Sequence, residues 1–307
     1  MRTETSSRPI IVRVTAGLGN QLFQCACGMH MAQLHQRPVF FDSSWFDYFQ
    51  VHEPRRVYQL PRLGLVGEGS EYAAGIGRWA AGLAVANRPA IRRAAQGLFR
   101  ALGMHFINEE APALCARTDE LYAPLPAGPV FLNGYWQTFD HAGAVRAAIR
   151  ETLFSRWKFS PGAGVWRSRI RSGQAVFIHI RRGDYQRFGL PLLREAYYAK
   201  AMEHMRDALP DPVYFVFAED PGSVRDELSF PENVHFVEYE SPHRDIEDLL
   251  LMAECAGGVL ANSSFSWWGA ALCGQNAQVI VPPFWLQPDA RIPANLVMPG
   301  WTVADPV

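Results

Sequence analysis

The hydrophobic pattern of this chain alternates between short, wholly apolar runs and longer stretches of helical period. IIVRV (10–14) is rich in β-branched residues and too short for a helix, so it predicts a strand. A turn-like AGLGN follows, then a helical run from Gln21 to Gln36, then the apolar PVFFD (38–42). Strand, helix and strand in this order open a Rossmann-like unit. FLNGYWQ (131–137) reads as a further strand and HAGAVRAAIRETL (141–153) as a helix that closes the first lobe, while KFSPGAG (158–164) reads as a linker. The second half predicts AVFIHI (175–180), a helix near 195–209, VYFVFAED (213–220), a short helix and NVHFVEY (233–239). DIEDLLLMAEC (245–255), GGVLA (257–261), a helix from about 264 and AQVIVPPF (277–284) complete it. Strands that are apolar throughout are covered on both faces, which means parallel sheets. The expected class is α/β, with Rossmann-like lobes over residues 1–157 and 158–307 and a cleft between them. Ligands in such sheets sit at the carboxyl ends of the strands.

Residues 43–125 resist this reading, because Pro, Gly and Arg interrupt short amphipathic stretches. AAGIGRWAAGLAVA (73–86) is too short and too interrupted to cross a bilayer. After it, Ile91, Ala94, Ala95, Leu98, Phe99 and Leu102 recur at helical spacing, with Arg92, Arg93 and Arg100 between them. A surface helix packed on its own domain is the preferred reading, and weak peripheral membrane contact is the alternative.

At 307 residues, 49% hydrophobic and 19% charged, the chain is long enough for two cored domains. A formal charge of −1 leaves no global field for nucleic acid, so an anionic ligand must be met locally. The local means are arginines, since Lys158 and Lys200 are the only lysines. Five scattered cysteines do not form a disulfide framework and point to a reducing compartment. Cys25 and Cys27 read as core thiols rather than metal ligands. With no apolar segment in residues 1–8, the expected location is cytoplasmic.

Two stretches carry the chemistry. AVFIHIRRGDY (175–185) places His179, Arg181, Arg182 and Asp184 at or beyond a strand's carboxyl end, where two guanidiniums can grip a pyrophosphate. Asp184 can fix an arginine's direction, and Gly183 lets the backbone pass close to a ligand. In GGVLANSSFSWWGA (257–270), Asn262, Ser263 and Ser264 are residues of helix N-cap type, which offer a second anion cradle. Trp267 and Trp268 read as packing. Gly17, Gly19 and Asp42 imitate a dinucleotide fingerprint, but Leu22 stands where its third glycine belongs.

HIRRGDY, NSSFSWWGA and GLGNQLFQ, in this arrangement, resemble the motifs of the glycosyltransferase family 11 α-1,2-fucosyltransferases. The resemblance implies a GT-B fold, GDP-β-L-fucose as donor, inversion to an α-fucoside on a terminal β-galactoside, and no metal or other cofactor. It implies catalytic roles for Asn20, Arg181, Arg182 and Asp184. It implies donor contacts from Gly19, His179, Glu219, Asp220, Asn262, Ser263, Ser264 and Phe265, with Asp220 favoured over Glu219 as the acid that reads guanine. The first lobe would hold the acceptor and the second the donor. No D-x-D occurs in the chain, so arginine must neutralise the leaving diphosphate. Asp42, Asp47, His52 and Glu53 are candidates for a general base, none with a discriminating spacing. Fucosyl transfer with another linkage, or sugar-nucleotide binding without turnover, are the alternatives.

Overall fold

The structure is a computed structural model describing residues 8–48, 50, 55–67, 70, 89–109, 119–187, 189–230 and 233–306. The chain divides into two compact units, residues 1–156 and 157–307. Each is built on one all-parallel sheet, which places both in the α/β class.

In the first unit the sheet order is β2-β1-β4-β3, formed by β1 (Ile10–Arg13), β2 (Val39–Asp42), β3 (His105–Asn108) and β4 (Val130–Asn133). Helix α1 (Leu18–His35) begins three residues before the expected start, and its buried face carries Leu22, Phe23, Cys25, Ala26 and Cys27. Burial alone pushes the Cys25 thiol up to about 12, as suits a core thiol. Every strand of this sheet ends on a polar residue, Arg13, Asp42, Asn108 or Asn133. Register aligns Arg13 with Asp42 and Asn108 with Asn133, so these side chains form a row along the carboxyl edge. The fourth strand stops at Asn133 rather than 137, because Trp136 takes a left-handed φ of 55° that no strand accommodates. Short α2 (Ser44–Tyr48) follows β2, and α3 (Pro89–Ala101) precedes β3. Ala95 and Phe99 of α3 pack towards Phe106 and Phe131, whereas Leu98 stays 64% exposed; the expected single buried face is split in two. The stretch 73–86 lies outside the described residues. Helix α4 (Phe139–Arg156) packs on α1 and ends the unit.

The second unit has order β10-β9-β8-β5-β6-β7. It comprises β5 (Ala175–Ile180), β6 (Val213–Ala218), β7 (Val234–Phe236), β8 (Gly257–Val259), β9 (Gln278–Val281) and β10 (Thr302–Val303). All six residues of β5 are buried, as a central strand of a doubly covered sheet requires. Phe177 packs where a Cβ on Gly258 would sit, so the small-residue strand β8 follows from its neighbour's bulk. The helices are α5 (Pro161–Ile170), α6 (Gly183–Arg187), α7 (Glu195–Ala208), α8 (Pro221–Glu227), α9 (Arg244–Met252) and α10 (Ser264–Ala271). KFSPGAG is not a free linker. Ser160 caps α5 with Pro161 behind it, and Glu247 of α9 accepts from both the Ser160 N–H, at 2.6 Å, and its hydroxyl, at 2.9 Å. NVHFVEY yields only the three-residue β7. Among the described residues no helix is long and apolar enough to cross a membrane.

Candidate functional site

The chain runs from β5 to β6 and β7 on one side of the second sheet and returns to β8, β9 and β10 on the other. The carboxyl ends of β5 and β8 therefore flank the topological switch point, where open parallel sheets bind ligands. The two sequence motifs occupy those two ends. They touch: the His179 ring lies 5.5 Å from that of Phe265, in the first turn of α10. Burial, reinforced by Arg181, drives His179 down to about 3, so its imidazole is neutral at ordinary pH. Its Nδ1 is buried with no hydrogen-bond partner. A ligand atom could satisfy this nitrogen.

Arg181 sits beside it with a side chain 19% exposed. Its guanidinium lies 5.6 Å from the Tyr185 ring centroid, and its Nη1 is 3.9 Å from Glu219 at the end of β6. Tyr185 donates to the Asn262 carbonyl at 2.7 Å, tying the arginine's platform to the second motif. Gly183 lets the Glu219 carboxylate lie close to the backbone, and a Cβ there would push that exposed carboxylate aside. Asp184 lies in α6. Ser263 caps α10, its hydroxyl accepting from the Phe265 N–H at 3.3 Å. Ser264 begins the helix, so the first-turn N–H groups of α10 come beside Arg181 through the adjacent strands.

Three expected site residues, one catalytic and two donor-binding, are engaged differently. Arg182 does not join Arg181 in a grip. It is buried, its Nε donates to Glu227 of α8 at 2.8 Å, and its Nη1 donates to the carbonyls of Arg181 and Leu193 at 3.3 Å. Hydrogen bonding from Arg182 in turn holds the Glu227 carboxyl below its usual range. The Asn262 carboxamide donates to the carbonyls of Pro191 and Trp285 at 3.0 and 3.1 Å, bracing loops rather than capping the helix. Asp220 caps α8, its Oδ1 accepting from the N–H groups of Gly222 and Ser223. That leaves Oδ2 as the oxygen Asp220 can present elsewhere. Glu219 is exposed, with its carboxylate towards Arg181.

In the first unit, GLGNQLFQ builds the β1–α1 turn. Buried Gln21 donates to the carbonyls of Ala16 and Val57 and accepts from the Gln59 N–H. Buried Gln24 accepts from the Thr15 N–H and donates to Thr15 Oγ1 and the Gly134 carbonyl. These clamps hold Ala16 at φ 65°, a strained value for a residue with a Cβ, and such strain gathers at functional loops. Gly19 and Asn20 stand in the first turn of α1, and Gln137 donates to Asn20 Oδ1 at 2.7 Å. Glu109 accepts from the N–H groups of Tyr135 and Trp136 at 2.6 and 3.1 Å, fixing the β4–α4 loop. Of the general-base candidates, Asp42 is fully buried with Oδ1 accepting from the Ser44 N–H, and Asp47 is exposed on α2. His52 and Glu53 lie outside the described residues. Gln21, Gln24, Gln137, Glu109 and Glu227 are the residues that sequence reasoning did not single out; the first two were legible as polar positions three apart on an apolar helix.

The chain is 24% identical over 292 residues to the alpha-1,2-colitosyltransferase of Escherichia coli, an alignment covering 89% of this chain and 91% of that one. It is 28% identical over 204 residues to galactoside alpha-(1,2)-fucosyltransferase 1 of Saimiri sciureus, covering 60% and 54%. The fucosyltransferase NodZ from Bradyrhizobium is a solved structure at 15% identity and TM-score 0.46, covering 86% and 92%. Residues 90–304 match Glycosyl transferase family 11, a span that takes in Arg181, Asp220 and Ser263 together, and the chain belongs to that family.

Proposed function

We propose that this glycosyltransferase moves L-fucose from GDP-β-L-fucose to the 2-hydroxyl of a terminal β-galactoside, with inversion and without a metal ion. The observation that carries the reading is Arg181, a largely covered guanidinium at the switch point of the second sheet, beside an unpartnered neutral His179 and the first turn of α10. As the bond from the fucosyl C1 to the phosphate oxygen breaks, its electron pair leaves on the β-phosphate of GDP. Arg181 stabilises that growing charge, and a preorganised donor there acts more on the transition state than on the ground state. The acceptor oxygen attacks C1 from the opposite face and gives up its proton, leaving an α-fucoside. The second unit takes the donor and the first the acceptor, with Asn20 contributing an amide. Asp220 Oδ2 reads guanine.

Support for the linkage is that two relatives are both named for α-1,2 transfer. Their names differ in the sugar moved. Transfer of colitose is therefore the second reading, favoured by the relative that aligns over 89% of the chain. A donor screen with GDP-fucose and GDP-colitose on one galactoside, repeated with Arg181→Ala, tests both. The proposal expects GDP-fucose to turn over and the variant to lose ~10²–10³ in kcat with GDP still bound, as for loss of one such donor. Turnover with GDP-colitose alone decides for the second reading, and an Arg181→Ala enzyme of normal rate removes the mechanism.

A further inference from the structure

Arg182 and Asn262 are motif residues whose side chains turn away from the switch point, and the place they brace is a second cavity of the same unit. Asn262 joins the carbonyls of Pro191 and Trp285, and Arg182 holds that of Leu193. Between the loops so pinned lies a cavity of about 490 Å³ lined by Leu193, Tyr197, Phe284, Arg194, Asp289 and Arg291 among others. The loop beyond β9 is closed on itself, with the Ile292 N–H donating to the Pro283 carbonyl at 2.8 Å. The walls are thus set before any ligand arrives.

Three features give the cavity its chemistry. Arg194 and Arg291 both line it as exposed residues, and among the described residues neither guanidinium is engaged by a carboxylate or carbonyl. Arg194 is also the N-cap of the 14-residue helix α7, which starts there without a side-chain cap. Partnerless arginines and an uncapped helix start both favour an anion. The floor is different: the core residues Leu193 and Tyr197 close its base, and the half-buried Phe284 presents a ring. Asp289 lines the cavity too and can only accept hydrogen bonds when ionised, which suits a ligand rich in hydroxyl donors and disfavours a bare anion.

The geometry points to a second binding site in this cavity for a sugar that carries a negative charge, either a carboxylate or a phosphate ester. The charge meets Arg194 and Arg291, the hydroxyls meet Asp289, and the apolar face of the ring lies on Phe284. The site goes beyond the donor assignment and stands without it. Charged residues or phosphate groups in the glycan being extended are the class of ligand it fits.

Titration calorimetry on the full chain in saturating GDP tests it, with galacturonic acid, galactose 1-phosphate, galactose and inorganic phosphate as probes. At least one charged sugar should bind tenfold or more tightly than galactose, and whichever does so identifies the anion. The double variant Arg194→Gln, Arg291→Gln should erase that preference, while its GDP affinity stays within twofold of wild type, since neither arginine belongs to the donor site. Equal binding of galactose and both charged sugars overturns the proposal, as does a preference that survives the double variant. Inorganic phosphate binding as tightly as galactose 1-phosphate also overturns it, because the sugar would then contribute nothing. A GDP titration without probes separates these results from a failure of the donor reading.

Discussion

Replacing Arg182 with alanine removes a guanidinium that serves three acceptors on three segments: Glu227 at the end of α8, the Arg181 carbonyl and the Leu193 carbonyl. Each carbonyl left without its donor costs ~1–3 kcal/mol. Glu227 is 38% exposed and can turn to water, so loss of that ion pair adds no more than about 1 kcal/mol. The expected destabilisation is ~2–7 kcal/mol, most of it from the two carbonyls. Glu227→Gln should cost about 1 kcal/mol or less, because it removes the exposed part alone. Arg181→Ala should also fall near or below about 1 kcal/mol, while kcat drops ~10²–10³-fold. Urea unfolding of the three variants, paired with kcat for each, separates the roles of the adjacent arginines. An Arg182→Ala protein as stable as wild type, or an Arg181→Ala protein less stable than Arg182→Ala, refutes the reasoning.

Asp220→Ala should weaken GDP by ~1.5–3 kcal/mol and narrow the preference for GDP over ADP, as expected for a charged acceptor facing guanine; calorimetry that finds the preference intact and carried by Glu219→Ala instead moves the role to the neighbour. On the proposed role of Arg181 in neutralising the diphosphate, activity should survive EDTA, and an absolute requirement for added Mg²⁺ or Mn²⁺ contradicts this. Burial pushes the Asp248 carboxyl up to about 7 against the opposing pull of Arg244 and Tyr239. The folded chain therefore holds a proton there that the unfolded chain loses near 3.8, and this group's stability is lost as pH rises from 3.8 to about 7. Asp248→Asn cannot ionise, so its stability relative to wild type should climb across that window and level off above it. A flat difference between pH 4 and 8 in urea midpoints counts against the assignment.

Much of the fold was legible because buried parallel strands announce themselves: AVFIHI, VYFVFA and IIVR need no partner in the sequence to be recognised. The end of β4 was not, since Trp136 adopts a positive φ under constraint from Glu109, a residue 27 positions away, with no glycine to mark it. KFSPGAG does adjoin the boundary between the two units, but its second half starts α5, for which Ser160 followed by Pro161 is the signal. At the site, Arg181 beside the start of α10 followed from strand ends and strand order. Arg182 did not. The two lie past the end of β5, where strand alternation no longer dictates which way each side chain points. Which of them turns inward depended on Glu227, 45 positions later. Asn262 is a similar case, its type suited to capping and its carboxamide engaged instead by carbonyls of two distant loops.

The central claim is α-1,2 transfer of fucose from GDP-fucose to a galactoside, and linkage analysis of the product tests it most directly. The protein, GDP-fucose and a β-galactoside acceptor should give one new sugar whose anomeric proton shows the α configuration and correlates by NMR with carbon 2 of the galactose. A product joined through any other hydroxyl, a β configuration, or release of GDP that never yields a fucosylated galactoside contradicts the account.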